Sequence, residues 1–175
     1  MAEKNPIPAI KHLDPKTLEV EQLDKETIAQ IKKLNSMQRE IMLGMNKDAK
    51  FIGEARRLER KLGRIFLDAA ERGHAARIAA FMKARFPATY EDPESGETAL
   101  HIIAANGARK SLRAMLSSPG RVGYLHRDKQ GRLPSELAYL YGDDPAMARL
   151  LAAYEKKTAS FGSGRVTRRP PPKEA

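Results

Sequence analysis

Apolar residues recur at three- and four-residue steps near the start of the chain, at Ile28, Ile31, Leu34, Ile41 and Met45. This spacing places them on one face of an amphipathic helix, with Asp24 as its N-cap. A second run starts near Asn46 or Asp48 and carries Phe51, Ile52, Ala55, Leu58, Leu62 and Ile65, with Gly44 and Asn46 as the break between the two. The stripe Leu58, Leu62, Ile65 meets no breaker stronger than Gly63, so the pattern predicts nearly continuous helix over 48–72. Ahead of both runs, the two prolines of NPIPAI fix φ and remove donors, and the chain up to residue 15 reads as irregular.

Further along, the apolar pattern repeats. The strings FLDAAERGHAARIAAFM, HIIAANGARKSLRAML and ELAYLYGDDPAMARLL align on Gly73, Gly107 and Gly142, at separations of 34 and 35 residues. Ile78, Leu112 and Met147 each stand five residues after the glycine, and Phe81/Met82, Met115/Leu116 and Leu150/Leu151 stand eight and nine after it. Before it, Ala69/Ala70, Ile103/Ala104 and Ala138/Tyr139 fall in the same register. Such a period reads as a helix, a glycine turn, a second helix and an extended loop, repeated. Small residues in the first helix let neighbouring units approach, and the bulky pair in the second fills the layer between them. Two of the units follow PESGETALH and RDKQGRLPSE, where Gly96 and Gly131 permit tight turns and Thr98 caps the next helix.

Composition narrows the setting. A chain of 175 residues with 41% hydrophobic content buries one ordinary core. It has no cysteine, which excludes disulfides and thiol chemistry and suits a reducing compartment. With no apolar signal region and no run of membrane-spanning length, a cytoplasmic protein without a membrane span is expected. The net charge of +10 favours anionic partners without choosing among them. Lys47, Lys50, Arg56, Arg57, Arg60, Lys61 and Arg64 cluster in 47–64, and Arg56, Arg60 and Arg64 have the i, i+4 spacing that lines cations up against phosphates. Glu54 and Glu59 make the same segment read equally as a mixed-charge wet face, and no aromatic is interleaved for base stacking.

The strings that mark a nucleophile elbow, a phosphate-binding glycine loop or a paired metal-ligand motif do not occur. GSGR at 162–165 follows no strand and reads as a linker, while YEDPESGE at 90–97 lacks calcium-loop spacing and reads as a solvated loop. No pair among the four histidines has the i, i+4 spacing of a helical metal site. No catalytic residue, metal or cofactor is assigned, and a non-enzymatic role is expected. FGSGRVTRRPPPKEA is too polar to order itself. Its arginines resemble the translocation signals of bacterial type IV secretion substrates, and RRPPPK reads alternatively as a polyproline ligand.

GETALH, followed by Gly107 and Met115/Leu116, resembles the ankyrin repeat, with its G-x-T-P-L-H segment, paired alanines, glycine turn and V-x-x-L-L column. The resemblance covers residues 64–156 and is strongest in the middle unit. Ala99 stands where the family has proline, RLPSE replaces T-P-L-H with Glu136 in the histidine place, and no turn motif precedes RIFL in the first unit. What is implied is a short, bacterial-type ankyrin repeat protein. Its fold would be all-α: an ankyrin-like helix-turn-helix stack of about three repeats in 64–158, capped by an N-terminal helical pair in 16–63, with 1–15 irregular and 159–175 a disordered basic tail.

The resemblance also implies that Thr98 and His101 are structural, His101 bonding neighbouring loop backbone; the rival ligand or catalytic role has no second ligand near in sequence. It implies a module that holds a partner protein through loop tips and the inner face of the first helices. Those contacts map to Glu71, Arg72, Glu94, Ser95, Glu97, Ala105, Asn106, Lys129, Gln130, Arg132, Leu140 and Tyr141. A secreted effector, exported by a type IV-like system, is one version of this reading. The alternative is a nucleic-acid-associated regulator using the basic helix 47–64 and the basic tail.

Overall fold

A computed structural model of the chain describes residues 23–117 and 122–161. Among these residues there are seven helices and no strand, only an isolated antiparallel bridge between Glu91 and Thr98. The helices are α1 (Lys25–Met42), α2 (Ala49–Glu71), α3 (Ala75–Lys83), α4 (Ala99–Ala105), α5 (Arg109–Leu116), α6 (Pro134–Leu140) and α7 (Pro145–Phe161). The irregular N-terminus expected for 1–15 and most of the basic tail lie outside the described residues.

Local chemistry accounts for the first two helices. The Asp24 carboxylate accepts from the Thr27 N–H, and Asp48 accepts from the Lys50 N–H at 3.0 Å, so each helix opens on an aspartate cap. Gly44, at φ +68°, lets the chain turn away after α1. Helix α2 runs unbroken for 23 residues, through the 63/64 boundary that the repeat pattern suggested. At Gly63 the Tyr90 ring lies so close that a Cβ would run into it. This glycine therefore serves packing and leaves the helix intact.

The apolar stripe of α1 differs from expectation. Ile31, Leu34 and Met37 are buried, whereas Ile41 is only half-buried and Met45 is 73% exposed. The helix ends at Met42, so Met45 no longer shares the periodic face.

Packing orders the helices into two rows. Helix α2 contacts α4, and α4 contacts α6, while α3 contacts α5 beside them. Each helix of the first row also packs on its chain neighbour, α2 on α3, α4 on α5 and α6 on α7, and α1 lies against α2. One core threads all of them, from Ile31 and Leu34 through Leu62, Phe66, Phe81, Leu100 and Ile103 to Met147 and Leu151. Its densest part is a triangle of Phe66, Phe81 and Phe86, with ring centroids 5.1 to 5.4 Å apart.

The repeat columns map onto this core, with two departures in the last hairpin. Ile78, Leu112 and Met147 are all buried, as are Ala70 and Ala104, and Phe81 and Met115. Their counterparts Tyr139 and Leu150 are exposed: Tyr139 lies on the outer side of α6, where nothing packs among the described residues, and Leu150 lines an open cleft between α5 and α7. The aligned glycines also divide in role. Gly73 and Gly107 are left-handed at φ +67° and +61°, but in the third hairpin Asp143 takes that conformation at φ +45°. Gly142 is instead needed for contact, since a side chain there would strike the carbonyl oxygens of Ala104 and Ala138.

Candidate interaction surface

The residues expected to meet a partner fall into two rows. Glu71 and Arg72, Ala105 and Asn106, and Leu140 and Tyr141 stand at the C-terminal ends of α2, α4 and α6. Glu94, Ser95 and Glu97 occupy the loop before α4, and Lys129, Gln130 and Arg132 the loop before α6.

Hydrogen bonds tie the members of each row together. Asn106 Nδ2 donates to the Glu71 carbonyl at 3.2 Å, across 35 residues. The Lys129 N–H donates to the Ser95 carbonyl at 3.0 Å, and Lys129 Nζ reaches the Pro93 carbonyl. Arg132 Nη2 meets Glu97 Oε1 at 3.4 Å, again across 35 residues. Successive loops are thus linked at the period of the sequence itself.

These links sort the predicted residues. Glu71, Arg72, Glu94, Asn106, Lys129, Gln130, Leu140 and Tyr141 are exposed, whereas Ser95, Glu97, Ala105 and Arg132 are half-buried. Ser95 spends both its N–H and its hydroxyl on Asp92. The Arg132 guanidinium is held by Asp128 at 2.7 Å, approaches Glu97, and sits 5.9 Å from the centre of the Tyr141 ring. Ser95 and Arg132 therefore brace the surface, leaving contact to their exposed neighbours. Burial works to raise the Asp128 pKa, but the Arg132 N–H and guanidinium hold it below the ordinary carboxylate value. The Ser95 N–H does the same for Asp92.

His101 lies behind these loops, fully buried. Its Nδ1 accepts from the Thr98 N–H at 3.2 Å and lies 2.9 Å from Thr98 Oγ1. An amide can only donate, so the ring proton sits on Nε2, which donates to the Arg132 carbonyl at 3.1 Å. Burial pushes the imidazole pKa down, and protonation at Nδ1 would set two N–H donors against each other. Glu136, in the histidine place of the next unit, performs the same local task by accepting from the Leu133 N–H at 2.6 Å. The substitution keeps the helix start while changing the chemistry.

Two supports were missing from the sequence reading. Buried Asp144 caps α7 by accepting from the Met147 N–H at 3.0 Å, and it forms a bidentate pair with Arg109, one arm at 2.8 Å. Its pKa is pushed down to about 2, chiefly by the Arg109 hydrogen bonds. The local signal was present, since Asp followed by Pro is a helix start with proline at the first position. Glu155, also buried, accepts from the Ser135 N–H at 3.1 Å and from its hydroxyl at 2.7 Å, closing the N-terminus of α6. That pair spans 20 residues and leaves no local sequence signal.

The basic residues Arg56, Arg57, Arg60, Lys61 and Arg64 lie exposed along α2, on the side away from the core. The tail cluster from Arg165 to Lys173, assigned to export or to polyproline recognition, lies outside the described residues. Among the described residues no group of three or more His, Asp or Glu side chains is placed to hold a metal ion, and no helix is long and apolar enough to cross a membrane. No family model matches the chain, and no curated protein matches it.

Proposed function

We propose that the protein is a non-enzymatic interaction module that holds a partner protein, organised as an ankyrin-like stack of three helix-turn-helix units capped by α1 and the first half of α2. The observation that carries this reading is the offset of its cross-links. Asn106 to Glu71, Arg109 to Asp144 and Arg132 to Glu97 each span 35 residues, one sequence period. Three bonds at that offset brace successive turns and loops against each other. A surface braced in this way loses little conformational entropy on binding.

On that surface Tyr141, 63% exposed, and Leu140 beside it supply apolar anchors among the polar tips Glu71, Glu94, Asn106, Lys129 and Gln130. A rigid aromatic gives large contact area at small entropic cost. The test is affinity capture from extracts of the source cell, followed by titration of the captured protein. Tyr141→Ala is expected to weaken that complex by roughly 30-fold, as for a hot spot of about 2 kcal/mol. Folding stability is expected to fall by no more than about 1 kcal/mol, because the side chain is exposed and the variant gives up the Arg132 guanidinium beside its ring. Equal affinity for wild type, Tyr141→Ala and Asn106→Ala would refute this surface.

A further inference from the structure

Half of the net charge of this chain lies between Asp24 and Arg64, where eleven Lys and Arg residues stand against six Asp and Glu. Packing separates the two signs. Glu54 is taken by Lys33 of α1 at 2.7 Å, and Glu59 accepts from Gln38 of α1 at 2.9 Å. Arg56, Arg57, Arg60, Lys61 and Arg64 remain exposed, and among the described residues none has a carboxylate within ion-pair distance. At about 100° per residue they occupy about 140° of the circumference of α2, opposite the buried Ala55, Leu62 and Phe66. Arg56, Arg60 and Arg64 form a row with a spacing of about 6 Å. Asp68 and Glu71 bound the strip at its C-terminal end.

We propose that this strip of α2 binds double-helical nucleic acid through the phosphate backbone, without reading sequence. A row of evenly spaced guanidiniums suits a polymer of evenly spaced phosphates. Single strands are held by stacked aromatics, and this arc has none. A membrane surface would call for apolar side chains among the cations, yet Leu58 and Leu62, the apolar side chains between Arg56 and Arg64, lie outside this arc, and the exposed Met42, Leu43 and Met45 stand before α2, beyond the end of the strip. The strip is a separate surface from the one carrying Tyr141, so the two readings stand or fall independently.

The test is fluorescence anisotropy of the full chain on short labelled DNA duplexes of two unrelated sequences. Five phosphate contacts predict a slope of log K against log salt of about −4.5, or roughly 500-fold weaker binding between about 50 and 200 mM salt. In the variant Arg56→Gln/Arg60→Gln/Arg64→Gln the slope falls to about −1.8 and the loss to roughly 12-fold. Its melting temperature stays unchanged, since glutamine suits an exposed helical site. Both duplexes bind equally, and Tyr141→Ala leaves the slope alone. Deleting residues 162–175 preserves the difference between wild type and the triple variant. The proposal is overturned by a wild-type slope in the triple variant, or by no duplex binding at 50 mM salt. Arginine-dependent binding to phosphatidylserine vesicles or to an acidic protein, without duplex binding, overturns it equally.

Discussion

His101 does its work as a neutral base wedged between the Thr98 amide and the Arg132 carbonyl, joining a helix start to the loop of the next hairpin. Replacing it with Ala leaves both groups short of a partner and is expected to cost about 1–2 kcal/mol in urea unfolding at neutral pH. The same residue predicts an acid-sensitive window. Its folded pKa lies below the ordinary 6.5, so as pH falls through that value the unfolded chain takes up a proton that the folded chain refuses. Stability contributed by the neutral ring is therefore present above pH 6.5 and is lost progressively below it. Unfolding curves at neutral and mildly acidic pH should show this loss in wild type and a smaller one in His101→Gln, which keeps His74 and His126. Parallel losses in both proteins would assign the effect to groups other than His101.

At the scale of elements, the short helices α4, α5 and α6 of seven or eight residues cannot persist alone, and each is held at its ends by residues from another hairpin or loop. Asp144 joins α5 to α7 through Arg109 while capping α7, and Glu155 on α7 closes the start of α6. Asp144→Asn retains a competent cap but removes the charge, so a lower melting temperature at pH 7 is expected. The folded pKa of Asp144, about 2, lies below its ordinary 3.8, so its contribution is complete above 3.8 and disappears as pH falls through 2. The deficit of the Asn variant should accordingly shrink in acid, as measured by melts at stepped pH. A deficit that stays constant to pH 2 would show that the charge of Asp144 is not its source.

In the whole molecule, α1 and the first half of α2 belong to the same core as the hairpins. Ile31 and Leu34 are fully buried together with Leu62, Phe66 and Phe81, and Asn35 Nδ2 donates to the Ala84 carbonyl at the end of α3. A fragment of residues 64–158 would cut α2 through its middle and strip that cover, so aggregation or poor folding is expected. Residues 16–158 should melt in one transition, coincident by far-ultraviolet circular dichroism and by tyrosine fluorescence. A monomeric, cooperatively folding 64–158 fragment would make the N-terminal helices a separate arm. The sequence by itself determined where the first helices begin, that α2 is continuous, and which columns recur every 34 or 35 residues, because caps and helical periodicity are local properties. Only tertiary structure decided that Tyr139 and Leu150 stay exposed while their periodic counterparts are covered. It alone decided that Asp143 and not Gly142 is left-handed, and that Glu54 and Glu59 turn to α1 and leave the arginines of the α2 strip without a carboxylate partner among the described residues. Those outcomes depend on which side chain arrives from 20 to 35 residues away, and no window of local sequence contains that neighbour.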